Sequence, residues 1–226
     1  MEPVTTRKWW LVGLAASALG LYLLLWFGVT AQWQWIDTMD RSALDPLLDF
    51  AISHPGWVVF WDWFCLVLGP TAFRLVALVV IVVALARRNV RTAMFLVISV
   101  ELSGLITEAT KAVANRARPE GALVNALSTS FPSGHALGVM VGVLALLTLL
   151  VPIVPGPLRA WLVVLGVIIV LTIGFGRVAL NVHHPSDVLA GWALGYAWFV
   201  VCLLVVPPAV PIRAADEKPV APGSSP

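Results

Sequence analysis

The sequence predicts an all-α membrane protein, a bundle of six transmembrane helices. Of its 226 residues, 60% are hydrophobic and 12% are charged, whereas soluble domains are about half apolar and a quarter charged. The apolar residues fall into stretches of about 20 residues, the length that an α-helix needs to cross the hydrocarbon core of a bilayer. The chain is long enough for one compact bundle and too short for two such domains.

Six apolar stretches qualify as spans. The first follows Arg7 and Lys8, and it is longer than the roughly 7–15-residue core of a signal peptide. We therefore expect a retained helix, although residues 29–31 offer a weak cleavage pattern. The predicted spans are residues 9–29, 71–86, 92–112, 135–151, 158–175 and 186–206.

The remaining segments are assigned by composition. Residues 1–8 form a cytoplasmic N-terminus, residues 9–206 form the membrane domain, and residues 207–226, rich in Pro, Ala and Ser, form a disordered tail. Residues 32–55 are polar and acidic, and we expect an interfacial helix there, outside the bilayer core. Its apolar face combines Leu44, Leu47, Leu48, Ala51 and Ile52.

Basic residues predict the orientation. Six spans place both termini on one side, and the positive-inside rule makes that side the cytoplasm of a plasma membrane, which the composition suggests is bacterial. Four cations break the rule and fall outside, so we expect them to serve a purpose other than topology. The cytoplasmic cations are Arg7, Lys8, Arg87, Arg88, Arg91, Arg159, Arg213 and Lys218, and the exceptions are Lys111, Arg116, Arg118 and Arg177.

Several kinds of function are disfavoured. The basic residues are scattered between apolar runs, so no nucleic-acid partner is expected. Cys65 and Cys202 lie in apolar stretches and are interpreted as small buried hydrophobic residues. No metal-ligand spacing occurs, so we expect neither a metal nor another cofactor.

Three polar clusters lie at the outer ends of spans three to six and, by the predicted topology, converge. Taken singly, they have ordinary explanations, such as a lysine reaching the interface, a serine N-cap or an acid near a helix start. Together they place two histidines, three cations and an acid on one rim. The clusters are Lys111-x6-Arg118-Pro119, Pro132-Ser133-Gly134-His135 and Arg177-x5-His183-x3-Asp187.

These residue types fit phosphoryl transfer. Lysine and arginine bind phosphate oxygens, and backbone N–H groups at a helix start form an anion site. A neutral imidazole can attack phosphorus, and we assign this role to His183, with Asp187 reaching back to hold it. His135 would protonate the leaving alkoxide and later activate water.

The three clusters resemble the signature motifs of the type 2 phosphatidic acid phosphatase family, which also includes acid phosphatases and vanadium haloperoxidases. The resemblance covers residues 111–187 directly, and the six-span plan extends it over nearly the whole chain. It implies that the site faces away from the cytoplasm. It also implies that His183 is the nucleophile, His135 the acid and base, and Asp187 the partner of His183. The phosphate-binding residues would be Lys111, Arg118, Ser133, Gly134 and Arg177.

The sequence therefore predicts a membrane lipid phosphatase that forms a phosphohistidine. Its substrate would be phosphatidic acid, phosphatidylglycerol phosphate or a polyprenyl diphosphate, chosen by residues 32–70 and 120–131. A haloperoxidase is disfavoured because the membrane framework suits lipids. Two alternatives remain, a phosphotransferase with the same chemistry and a non-catalytic binder or transporter of phosphate lipids.

Two features are left over. The family usually has Ser immediately before the arginine of the third motif, and this sequence has Gly176, so we expect reduced or altered activity. Glu101 and Glu108 lie on nearly one face of the third span, and Glu108 can pair with Lys111 three residues later.

Overall fold

The computed structural model describes residues 4–126 and 128–209, with side chains from residue 8 onward. All regular structure in this part of the chain is helical, as predicted. The elements are α1 (Val4–Thr30), α2 (Gln34–Ser53), α3 (Pro55–Val67), α4 (Pro70–Ala86), α5 (Val90–Leu96), a π turn (Val97–Glu101), α6 (Ser103–Ala114), α7 (Gly134–Leu150), α8 (Gly156–Ala179) and α9 (Pro185–Val205).

The protein is a multi-pass membrane protein. Among the described residues, five helical segments are long and apolar enough to cross a bilayer. α7, the fourth predicted span, has 17 residues and is about 25 Å long, slightly short of the usual length. A sixth crossing by α7 therefore stays a prediction. The five segments are Lys8–Thr30, Pro55–Ala86, Val90–Ala114, Gly156–Ala179 and Pro185–Val205.

α7 lies at the centre of the bundle. It packs against α9, α8, α4 and α6, and Leu137, Val139 and Val141 on it are completely buried. A Cβ atom on Gly191 of α9 would lie 2.6 Å from the carbonyl oxygen of Ser133, so only glycine permits this close approach. The first turns of α7 and α9 are thereby held together.

α1 supports the loop before α7. It packs along α9 and contributes Tyr22 and Leu25 to the core. The ring of Tyr22 stacks on Phe131, with centroids 5.9 Å apart. Phe131 immediately precedes the second polar cluster, so α1 helps to fix that cluster.

α2 confirms the helix predicted within residues 32–55. Leu44 and Ala51 are buried, Leu47 and Leu48 are half-buried, and Ile52 is 66% exposed. α2 packs against α8 and α9. It consequently covers the bundle end where α8 finishes and α9 begins.

Three spans differ from prediction. The second belongs to a longer apolar segment, Pro55–Ala86, that also includes α3. The third is interrupted by the π turn, where the indole N–H of Trp198 donates to the carbonyl oxygen of Ser99 (3.1 Å). The fifth continues past residue 175 to Ala179, so Arg177 lies in its last helical turn and not in a polar link.

Most of the predicted tail, residues 210–226, lies outside the described residues, as do residues 1–3. Just before it, the carbonyl oxygen of Ala209 accepts hydrogen bonds from Asn89 Nδ2 (2.8 Å) and Thr92 Oγ1 (3.2 Å). The chain is therefore attached to the α4–α5 loop at this point.

Candidate active site

The predicted site residues gather where four helix ends meet. Lys111 lies in the last turn of α6 and Arg177 in the last turn of α8, whereas His135 and Asp187 lie in the first turns of α7 and α9. His183 lies on the short link between α8 and α9. Arg118, Arg177, Lys111 and His183 all lie close enough to His135 to act on it electrostatically.

His183 is buried, with 2% of its surface exposed. Its Nε2 lies 3.3 Å from Nη1 of Arg118. Because a guanidinium only donates, Nε2 is the acceptor and the ring proton belongs on Nδ1. Burial lowers the pKa of His183 to about 4, although Asp187 opposes this effect. The imidazole is therefore neutral near pH 7, the form that can act as a nucleophile.

Asp187 faces His183 and also caps α9. Oδ2 of Asp187 accepts hydrogen bonds from the backbone N–H of His184 (2.8 Å) and from Nδ1 of His184 (3.1 Å). His184 is the N-cap of α9, and Asp187 reaches back to it from the first turn. The same Oδ2 lies 3.5 Å from Nδ1 of His183. That nitrogen has no hydrogen-bond partner among the described residues, so a small movement would close the contact.

Ser128 fixes two of the predicted phosphate-binding cations. Its hydroxyl accepts from Nζ of Lys111 (2.6 Å), and its carbonyl oxygen accepts from Nε of Arg118 (2.7 Å). Nη1 of Arg118 also donates to the carbonyl oxygen of Val182 (2.6 Å). Glu108 lies 4.0 Å from Lys111, which confirms the expected pairing. The loop before α7 therefore orients both cations.

Arg118 and Arg177 repel one another across the site. Burial and the Arg177 cation lower the pKa of Arg118. Arg177 is itself buried, and its Nε has no hydrogen-bond partner among the described residues. A buried guanidinium, a half-buried guanidinium and a buried lysine in one site favour an anion between them.

Ser133 corrects one detail of the predicted anion site. Its hydroxyl accepts from the backbone N–H of Ala136 (3.4 Å), as an N-cap does, and its own N–H donates to the carbonyl oxygen of Asp187 (2.9 Å). The N–H of Ser133 is therefore unavailable to an anion. Gly134 and His135, the first residues of α7, keep N–H groups that the helix itself does not use.

Sequence reasoning missed Asp40 and gave Arg116 no place in the site. Arg116 was noted as a cation that breaks the positive-inside rule, whereas its guanidinium donates to Asp187 Oδ1 (2.6 Å) and to Asp40 Oδ2 (2.7 Å). The position of Arg116, two residues before Arg118, was the available signal. No signal in the sequence marked Asp40, because no periodic pattern connects it to Arg116 and Ser186, which lie more than 70 positions away.

Comparison with known proteins settles the family. The model of the PAP2 superfamily matches residues 92–211, more than half of the chain, including all three motifs. The chain belongs to the PAP2 superfamily. Phosphatidylglycerophosphatase B of Bacillus subtilis is 31% identical over 181 residues, which cover 75% of this chain and 84% of that protein.

Two further matches agree with the family. Undecaprenyl-diphosphatase of Sulfolobus acidocaldarius is 35% identical over 88 residues, which are 39% of this chain and only 38% of that protein. The crystal structure of a transmembrane PAP2-type phosphatidylglycerolphosphate phosphatase from Bacillus subtilis superposes with a TM-score of 0.73 at 22% identity. It covers 84% of this chain and 94% of its own, so this PAP2 protein shares that fold.

Gly176, the departure from the usual PAP2 motif, faces α3. A Cβ atom there would lie 2.6 Å from Sγ of Cys65 and 2.7 Å from Cε3 of Trp61. The Cys65 thiol also lies near the guanidinium of Arg177. The sulfur and the indole thus fill the space that a serine side chain would need.

We expect Gly176→Ser to destabilise this protein by about 1–3 kcal/mol, as overpacking a filled core does, and to lower its activity. Adding Cys65→Ala should restore part of both losses, because it removes the nearer obstructing atom. Thermal unfolding and phosphate release in detergent measure the two effects. Gly156→Ser is the matched control, since nothing lies within 4 Å of that position on the same helix. Wild-type stability in Gly176→Ser would contradict this packing.

Two cavities open beside the site. The larger, of about 760 Å³, lies between the α1–α2 junction and the segment after α6, and Gly28, Trp33 and Arg118 line it. The smaller, of about 430 Å³, lies between α2 and the segment around Glu120. Arg41, Arg118 and His184 border both cavities. α2, which was expected to influence substrate choice, lines both cavities.

Proposed function

We propose that this protein is an integral membrane phosphatase that removes phosphate from a lipid phosphomonoester or diphosphate through a phosphohistidine on His183. The observation that carries the proposal is the 3.3 Å contact between Nη1 of Arg118 and Nε2 of His183. It places the lone pair of Nε2, the nucleophile, against a phosphate-binding cation, and a bound phosphate would take over the N–H of Arg118 and free that lone pair for attack. A phosphate held by that cation would therefore lie next to the attacking nitrogen.

In the first step, the phosphate oxygens are bound by Lys111, Arg118 and Arg177 and by the N–H groups at the start of α7. Nε2 of His183 attacks phosphorus, and the bond from phosphorus to the leaving oxygen breaks. His135 gives its proton to that oxygen, so the lipid leaves as an alcohol or, from a diphosphate, as a monophosphate.

In the second step, His135, now neutral, takes a proton from water, and the resulting hydroxide attacks the phosphohistidine. The bond from nitrogen to phosphorus breaks, inorganic phosphate leaves, and both histidines return to their starting forms. Asp187 stabilises the imidazole while it is positively charged. The 3.5 Å gap between Nδ1 of His183 and Oδ2 of Asp187 would shorten at this stage, because attraction grows as the charge forms.

Access for a lipid is supported by the larger cavity. It connects the site to the end of α1, where Gly28 and Val29 belong to an apolar helix. A substrate could keep its hydrocarbon tail in the bilayer while its phosphate reaches Arg118. Since all four helix ends of the site lie opposite the basic loop at Arg87 and Arg88, we place the site on the extracytoplasmic side.

The substrate class is supported by the relatives. One curated relative is a phosphatidylglycerophosphatase and another an undecaprenyl-diphosphatase. Phosphatidylglycerol phosphate and a polyprenyl diphosphate are therefore the first substrates to compare, with phosphatidic acid as the third. All present a terminal phosphate that the same three cations would bind.

The test is phosphate release by the purified protein in detergent from each of these three lipids. We expect release from at least one lipid, and we expect the preferred lipid to define the physiological class. Loss of the lipid phosphate only when an alcohol acceptor is added, with the phosphate ester of that alcohol as the product and no inorganic phosphate, would instead indicate a phosphotransferase. Folded protein that acts on none of the three, with or without an acceptor, would contradict the proposal.

A further inference from the structure

Asp40 is a buried carboxylate that no motif of the family includes. It lies on α2, and only 1% of its surface is exposed. Its Oδ1 accepts from the backbone N–H of Ser186 (2.9 Å), and its Oδ2 accepts from the hydroxyl of Ser186 (2.6 Å) and from Nη2 of Arg116 (2.7 Å). A buried charge with this many partners has a defined orientation.

Arg116 continues the chain of contacts to the proposed catalytic residues. Its Nη1 donates to Oδ1 of Asp187 (2.6 Å) and to the hydroxyl of Ser186 (2.7 Å). One guanidinium therefore bridges two carboxylates from different helices. Unlike Arg118, Arg116 has its charge neutralised inside the protein and is not aimed at a substrate.

The bridge determines which way the Asp187 carboxylate points. With Oδ1 held by Arg116, Oδ2 is directed towards His184 and His183. Asp187 has no exposed surface, so without Arg116 its Oδ1 would be buried without a strong partner, and the carboxylate would rotate to find one. Orientation of Asp187 thus depends on a residue outside the three motifs.

Asp40 also sets the local charge. Arg116 and Asp187 alone would cancel, and little negative potential would remain to stabilise a cationic His183. With Asp40 included, the three groups carry one net negative charge. The cations Arg118 and Arg177 also act on His183. They disfavour an imidazolium and make that remaining negative charge more important.

We propose that Asp40 and Arg116 are positioning residues that orient Asp187 and preserve its net negative charge, so that α2 is a working part of the active site. This inference rests on the proposed function of His183. The pair would stabilise His183 while it is positively charged, at the phosphohistidine stage, and would not take part in phosphate binding. Replacing either residue should therefore lower kcat more than it changes KM.

The kinetic test is Asp40→Asn, which keeps the shape of the side chain and removes its charge. We expect kcat to fall about tenfold or more, by analogy with residues that orient metal-bound histidines, with KM changed by less than about twofold. Asp49→Asn, exposed on the same helix, is the matched control and should behave as wild type. Unchanged kcat in Asp40→Asn, or a rise in KM that accounts for the whole loss, would overturn the proposal.

A second test does not need activity. Asp40→Asn removes the net negative charge of the group and loosens Arg116, and both effects disfavour an imidazolium, so the pKa of His183 should fall further below its value of about 4. Side-chain ¹⁵N NMR of histidine-labelled protein in detergent reports this pKa, with the signal identified by its loss in His183→Gln. An unchanged or raised pKa in folded Asp40→Asn would overturn the proposal. This result remains informative even if no lipid is hydrolysed, so the failure of the pair and of the proposed function can be told apart.

Discussion

Replacing His183 by glutamine is expected to lower phosphate release by at least about a thousandfold, because the variant has no nitrogen lone pair to attack phosphorus. Glutamine still offers an acceptor to Arg118, so the surrounding hydrogen bonds should survive. The measurement is kcat/KM with the preferred lipid, beside thermal unfolding to verify that the variant is folded.

The matched control for this prediction is His54→Gln. His54 is exposed and lies at the end of α2, where its Nδ1 contacts the carbonyl oxygen of Phe50 (2.8 Å). It should retain wild-type activity. A His183→Gln protein that keeps more than about a tenth of the activity would mean that another group attacks phosphorus.

Replacing His135 by glutamine should slow lipid hydrolysis by about a hundredfold to ten-thousandfold, the usual contribution of a general acid or base. The loss should depend on the leaving group. An aryl phosphate whose phenolate leaves without protonation needs no acid in the first step, whereas the second step still needs a base.

This difference gives a distinctive kinetic result. In rapid-quench experiments with an aryl phosphate, His135→Gln should release one phenolate per enzyme in a burst and then turn over slowly. The wild-type protein should show a smaller burst, because its second step is fast. Equal slowing of both substrates without a burst would rule out separate acid and base roles for His135.

The sequence predicted the helices of this protein well because apolar length is a strong signal in a bilayer. It also placed His135, His183 and Asp187 together, since three motifs at successive helix ends must share one end of a bundle. Residue 177 was misplaced into a link because a polar residue after an apolar run looks like a boundary. In the structure, α8 continues past Arg177 to Ala179, and the Arg177 side chain is buried.

Tertiary contacts account for what the sequence could not predict. Asp40 meets Arg116 and Ser186 only because α2 folds over the ends of α8 and α9. The use of the Ser133 N–H by the Asp187 carbonyl likewise depends on the close approach of α7 and α9. The space beside Gly176 is filled by Cys65 and Trp61 of α3, which lie more than 100 residues earlier in the chain.

Trapping of the phosphorylated protein tests the central claim most directly. His135→Gln protein mixed with an aryl phosphate, quenched under alkaline conditions that preserve phosphohistidine and digested for mass spectrometry, should carry one phosphate on the peptide that contains His183. The label should be absent when His183 is also replaced by glutamine. If phosphate is released but no phosphorylated His183 peptide is found at any quench time, histidine-dependent phosphoryl transfer at this site is contradicted. A label on another residue would contradict it as well.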